Sequence, residues 1–259
     1  MAFTQAVFEE CRPSWQSSFS PQARLRLGAV PLSVLADCPD LELPEVARQY
    51  LSANELEHWA GFSRKKRCVE WLGGRLAAKW ACAKFLNKGT VHWQDLVIRN
   101  EEDGRPYLNT EAPTMAPFIS ISHSGPLAAA MAANFPCGLD IQLPNAKIHT
   151  VKKCFTSPEE ESLMKDFLPE SFTETERLTM LWAAKEAVRK MVRVSPLLGL
   201  LEIRLIAGHG GCGVPEEPLK LTCVSGREQD GCPPAITVLC FFADNLAWAM
   251  GCLQNISQG

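Results

Sequence analysis

The chain has 259 residues, 46% hydrophobic and 21% charged, enough to bury a sizeable core as one large domain or two small ones. Its 26 basic and 29 acidic residues leave a net charge of -3, which does not favour nucleic acid as a partner. No apolar run reaches the roughly 20 residues of a membrane span, and the start, with Glu9 and Glu10, lacks the apolar stretch of a signal peptide.

In chain order, residues 1–20 read as a loose N-terminal arm. Leu25 and Leu27 alternate with Arg24 and Arg26, predicting a first strand that runs toward Val34. Pro44 opens a short helix, and Ser52-Ala53-Asn54-Glu55 is a capping box for the next. A long helix is predicted over 64–86, stopped by Asn87-Lys88-Gly89. Strands at 96–98 and 107–108 flank a turn at Asp103-Gly104. Residues 118–122 alternate, with Ile119 and Ile121 on one face and Ser120 and Ser122 on the other; Gly125-Pro126 turns the chain, and 127–133 pairs back. A strand at 138–142 follows. Ser157 caps a helix with Pro158 at its first position. A second long helix covers 175–193, and strands are predicted at 201–206, 219–224, 236–242 and 246–253, with Asp244-Asn245 as the last turn. This order gives an α+β fold with two similar halves, 21–142 and 143–259, although no sequence repeat is strong enough to prove duplication.

In the strand at 138–142, Asp140 and Gln142 share a face while Leu139 and Ile141 enter the core. In the second long helix, Leu181, Ala184, Val188 and Met191 form an apolar stripe, and Trp182, Glu186 and Lys190 run beside it at four-residue spacing. Taken singly, these are an edge acid and a helical salt bridge worth about 0.2–0.5 kcal/mol. Ser122-His123-Ser124-Gly125 changes the balance, because hydroxyls, an imidazole and backbone amides at one strand end suit phosphate oxygens. A strand carboxylate, a helix carboxylate and basic neighbours suit a divalent metal holding a polyphosphate.

Other patterns carry less. The 11 cysteines contain no CxxC and the 5 histidines are dispersed, so neither a disulfide framework nor a zinc site is expected. Gly208-His209-Gly210-Gly211-Cys212-Gly213 lacks a Gly-Lys-Ser/Thr ending and reads as a hairpin loop. Arg64-Lys65-Lys66-Arg67 reads as a solvated helix start. Lys147, Lys152, Lys153, Arg189 and Arg193 flank the acidic pair, as a docking surface for an acidic partner or as scattered charge.

These segments together resemble the Sfp-type 4'-phosphopantetheinyl transferases. Trp182, Lys185, Glu186, Ala187 and Lys190 match the family's Trp/Phe-x-x-Lys-Glu-Ala/Ser-x-x-Lys helix, and Gly138 to Gln142 its Gly-Ile/Val-Asp-Ile/Val-Glu strand. Gly104-Arg105-Pro106, the strand 118–125 and Glu70-Trp71-Leu72-Gly73-Gly74-Arg75 resemble three more of its segments, in order over about residues 25–195. The resemblance implies a pseudo-dimer of two α/β sub-domains, each a small mainly antiparallel sheet packed with helices, with coenzyme A in the cleft between them. It implies transfer of 4'-phosphopantetheine from coenzyme A to a serine of an apo acyl or peptidyl carrier protein, releasing 3',5'-ADP, by a cytoplasmic monomer with no membrane partner. Asp140, Glu186 and Gln142 would hold magnesium or manganese; Glu186 would act as base and Lys190 would neutralise phosphate charge. Arg67, Arg75, Arg105, Ser122, His123, Lys185 and Lys190 would bind coenzyme A. Gln142 departs from the family's Glu and removes one formal charge from the metal site. The alternative from another class is a non-catalytic module that binds coenzyme A or a carrier protein on the same fold.

Overall fold

The structure is a computed structural model that describes residues 22–37, 42–87, 91–194, 196–225 and 235–253, with backbone alone at Cys252. The expected N-terminal arm at 1–20, and Lys88-Gly89 of the first helix stop, lie outside the described residues. The chain divides between Phe135 and Pro136 into two units, each with one five-stranded antiparallel sheet among its described residues.

The first unit runs β1 (Leu25–Pro31), α1 (Leu32–Ala36), α2 (Leu43–Tyr50), α3 (Ala53–Ala60), α4 (Lys65–Phe85), β2 (Val97–Asn100), β3 (Pro106–Asn109), β4 (Phe118–Ser124) and β5 (Leu127–Ala133), with strand order β1-β5-β4-β3-β2. β1 ends at Pro31 rather than Val34, because Leu32 and Leu35 sit three apart and turn into the core as a short helix. α4 is buried along Val69, Leu72, Leu76, Ala77, Ala81 and Cys82, and lies against β1, β5 and β4. The alanines of β5 make that approach close.

The second unit runs β6 (Cys137–Gln142), α5 (Ile148–Val151), α6 (Pro158–Phe167), α7 (Glu174–Met191), β7 (Ile203–His209), β8 (Leu219–Ser225), β9 (Ile236–Ala243) and β10 (Leu246–Cys252), with order β6-β10-β9-β8-β7. The division falls before the strand at 138–142 and not after it, because β6 pairs along its length with β10. Asp244 and Asn245 both take positive φ between β9 and β10, the geometry of a tight hairpin turn. The glycine-rich stretch links β7 to β8 through a Val214–Glu217 bridge and is a hairpin connection. Strand order is the same in both units, and α7 covers β6, β10 and β9 as α4 covers β1, β5 and β4.

One buried device recurs as well. Ser52 and Glu55 form the capping box of α3, and the Glu55 carboxylate also accepts from Lys79 Nζ of α4 at 2.7 Å and from the Ile98 amide of β2 at 3.1 Å. Ser157 and Glu160 form the capping box of α6, and Glu160 accepts from Lys185 Nζ of α7 at 2.7 Å and from the Leu205 amide of β7 at 2.7 Å. A buried carboxylate needs a cation and donors together, and each of these glutamates has both. Among the described residues Cys68, Cys82, Cys154, Cys212, Cys223 and Cys240 form no disulfide, and burial pushes the Cys82 and Cys223 thiols up to about 12. Among the described residues no helix is long and apolar enough to cross a membrane.

Candidate functional site

β6 and α7 bring two carboxylates to one face of the second unit. In the β6–β10 ladder Asp140 stands opposite Ala249 and Gln142 opposite Ala247, both buried in the core that α7 covers. Gly138, two residues before Asp140, lies so near α7 that a Cβ there would collide with the Ala187 carbonyl. This contact seats the strand directly against the turn that carries Glu186.

Asp140 is buried, and its Oδ1 accepts from Lys190 Nζ at 2.7 Å; the same ammonium donates to the Leu139 carbonyl at 3.0 Å. Glu186 is buried too, and its Oε2 pairs with Arg189 Nη2 at 2.7 Å. Burial raises the Glu186 carboxyl above its ordinary value; the Arg189 charge opposes this, the Asp140 charge adds to it, and Lys190 opposes it. Glu186 and Asp140 are therefore close enough to feel each other's charge. Gln142 is half-buried at the end of β6, where its amide donates to the Leu143 carbonyl at 3.5 Å. It borders a cavity of about 300 Å³ whose walls include Leu143, Ile148, Val151, Thr179 and Trp182.

The donors near Asp140 are oxygens, which fits magnesium or manganese and not zinc. Among the described residues there is no group of three or more His, Cys, Asp and Glu that could hold a metal. The centre would thus rest on two carboxylates, with Gln142 as the neutral third donor and water completing the shell. Magnesium tolerates this, since it keeps several waters.

Lys185 does not belong to that face. Its ammonium is fully buried on Glu160 and the carbonyls of Phe155, at 2.6 Å, and Leu200, at 3.4 Å, and burial pulls it below the ordinary lysine value against the pull of Glu160. The expectation that Lys185 contacts coenzyme A gives way to a role inside the fold. Sequence spacing alone could not separate it from Lys190, which lies five residues on.

The other expected ligands sit in the first unit. Arg67 is exposed at the start of α4, with its guanidinium over the Phe62 ring at 5.3 Å. Phe62 packs near Trp71, and Arg75 covers Trp71 at 4.6 Å. Arg75 is buried, donates to Asn100 Oδ1 at 2.5 Å and is lowered to about 10 by burial, with Glu55 opposing. Asn100 in turn donates to the Gly104 carbonyl, beside Arg105, whose Nε lies 3.4 Å from Asp103 Oδ2. Contacts therefore run from Arg67 through Phe62 and Trp71 to Arg75, and on through Asn100 to Gly104, the residue before Arg105. His123 Nδ1 lies 3.9 Å from Glu70 Oε1 of α4, and Ser122 is buried beside it on β4. Arg75, enclosed and already partnered, is the least available of these for a ligand. Arg189, expected only as peripheral charge, sits on the proposed base itself; its place three residues after Glu186 is the sequence signal for that pair.

No family model matches the chain. Curated relatives do. The holo-[acyl-carrier-protein] synthase of Staphylococcus carnosus is 38% identical over 91 residues, covering 34% of this chain and 74% of the relative. Those of Streptococcus uberis and Bacillus subtilis are 34% and 35% identical over 84 and 88 residues, covering 32% of this chain in each case and 70% and 72% of the relatives. A crystal structure of holo-[acyl-carrier-protein] synthase from Neisseria meningitidis superposes with a TM-score of 0.37 at 18% identity, over 42% of this chain and 94% of that one. With more than two thirds of each of these curated synthases aligned at 34–38% identity, the chain belongs to the phosphopantetheinyl transferase superfamily.

Proposed function

We propose that this protein moves the 4'-phosphopantetheine arm of coenzyme A onto a serine hydroxyl of an apo carrier protein, as a single-chain, Sfp-type transferase. The serine oxygen forms a bond to the phosphorus that carries the pantetheine, the bond from that phosphorus to the bridging oxygen breaks, and 3',5'-ADP leaves. The serine proton passes to Glu186 or to a water that Glu186 orients. The observation that carries this reading is the buried Asp140–Glu186 pair with Lys190 on Asp140.

Each side chain then has a task. Asp140 and Glu186 supply the charged oxygens that hold magnesium, with Gln142 as a neutral donor. The chemistry that magnesium would supply when held there is Lewis-acid neutralisation of charge on the leaving phosphate. Glu186 is the proposed acceptor of the serine proton; with no metal bound, burial raises its carboxyl above the ordinary value. Lys190 fixes Asp140 and brings a positive charge where negative charge develops. In the first unit, Arg67, Arg105, Ser122 and His123 are the proposed partners of the coenzyme A phosphates. The family match supports the reaction class, and the carboxylate pair supports the metal.

The test is the mass of an apo acyl or peptidyl carrier protein incubated with this protein, coenzyme A and magnesium. A gain of one phosphopantetheine, abolished by chelator and accompanied by 3',5'-ADP, is the expected result. Carrier binding without any mass change, across fatty-acid, polyketide and peptide-synthase carriers, would overturn it in favour of a non-catalytic module.

A further inference from the structure

Building on the proposed transfer, we propose that Arg189 is an exchangeable cation of the centre: it occupies Glu186 while no metal is bound and passes to the diphosphate of coenzyme A when metal takes that carboxylate. Each acid of the centre has its own cation, and the two cations are consecutive residues of α7. Lys190 sits on Asp140 at 2.7 Å and Arg189 on Glu186 at 2.7 Å. Two negative charges are thus matched by two positive ones, and Gln142 adds none.

That balance dictates how ligands enter. A divalent ion arriving alone would leave two unmatched positive charges in a partly desolvated site, which is unfavourable. A divalent ion arriving with a diphosphate diester, which brings two negative charges, leaves the site neutral. Metal and coenzyme A are therefore bound as a pair, each raising the affinity for the other.

The two cations are not equally free to move. Lys190 is anchored a second time, to the Leu139 carbonyl at 3.0 Å. Arg189 pairs with Glu186 across a single helical turn, and its side chain is 37% exposed against 10% for Glu186. Partly exposed pairs of this kind are weak and cheaply broken. The buried carboxylate, by contrast, needs some cation at all times, whether Arg189 or the metal. Once released, the guanidinium offers a planar fork of donors that suits phosphate oxygens better than an ammonium does.

The experiment is Mn²⁺ binding, followed by electron paramagnetic resonance, with the full chain and its Arg189→Gln and Arg189→Lys variants, each with and without coenzyme A. Without coenzyme A, Arg189→Gln is expected to bind Mn²⁺ about three- to tenfold tighter than wild type, the scale of one released surface pair. With saturating coenzyme A that advantage should vanish or reverse, and Arg189→Lys, which keeps the charge but not the fork, should follow wild type only without coenzyme A. Equal Mn²⁺ affinities of wild type and Arg189→Gln without coenzyme A would overturn the exchange while leaving the transfer reaction intact. Wild-type protein that takes up no Mn²⁺ even with coenzyme A would overturn the proposed metal centre and this inference with it.

Discussion

Lys185 of α7 and Glu160 of α6 meet at 2.7 Å inside the second unit, and two backbone carbonyls take the remaining donors of the ammonium. The motif lysine next to the proposed base is therefore a tie between helices. Removing one partner of a buried pair strands the other charge, so Lys185→Ala should cost about 3–5 kcal/mol. Urea unfolding of the full chain measures this, and a stability loss below about 1 kcal/mol would contradict the buried tie.

Asp140→Ala and Glu186→Ala should each lower the rate of carrier modification by at least about 100-fold, the scale expected when a charged group acting on the transition state is lost. Gln142→Ala should cost about tenfold or less, because an uncharged donor is readily replaced by water. Rates of carrier mass gain at saturating coenzyme A separate the three. Full activity in Glu186→Ala would exclude it as the base.

The Glu186 carboxyl is raised above its ordinary value, chiefly by burial. The folded protein therefore holds this proton more tightly than the unfolded chain, and stability falls as pH rises from the ordinary carboxylate range through the raised folded value. Glu186→Gln removes that loss. Its melting temperature should match wild type near about pH 4 and exceed it near about pH 7, in the absence of metal. A variant that melts lower than wild type at neutral pH would show that the carboxylate is stabilising where it stands.

Arg67 and Arg75 lie on the same helix but should respond differently. Arg67 is exposed, so Arg67→Ala, like His123→Ala, is expected to raise KM for coenzyme A about tenfold, the value of one charge-assisted hydrogen bond, with little change in melting. Arg75 is buried between Trp71 and Asn100, so Arg75→Ala should lower stability by about 2 kcal/mol or more. Kinetics and unfolding run on the same three variants distinguish a ligand from a structural arginine.

Much of this was legible in the residues. Ser52, Ser157 and the turn at Asp244-Asn245 mark element boundaries through local chemistry, and local chemistry is written in adjacent positions. The shared face of Asp140 and Gln142 follows from strand alternation, and their cross-strand neighbours are the buried Ala249 and Ala247. What was not legible depends on contacts distant in sequence. Lys185 and Lys190 share a helix and a charge, and only the approach of α6, with Glu160, turns one inward. Strand 137–142 looked like the end of the first half because it follows that half directly; its pairing with β10, a hundred residues later, places it in the second.

The recurring buried lysine also provides a common ruler for the two units. Counting from Lys79 in α4, the next residue is Trp80 and the fifth is Lys84, which lies over the Trp80 ring. Counting from Lys185 in α7, the same steps give Glu186 and Lys190. Both units thus keep the architecture and the distal lysine, and they part at the position after the ruler's origin. An indole there cannot ligate a metal; a carboxylate can. The chain carries two copies of one scaffold, and of the two only the second follows its buried lysine with a carboxylate.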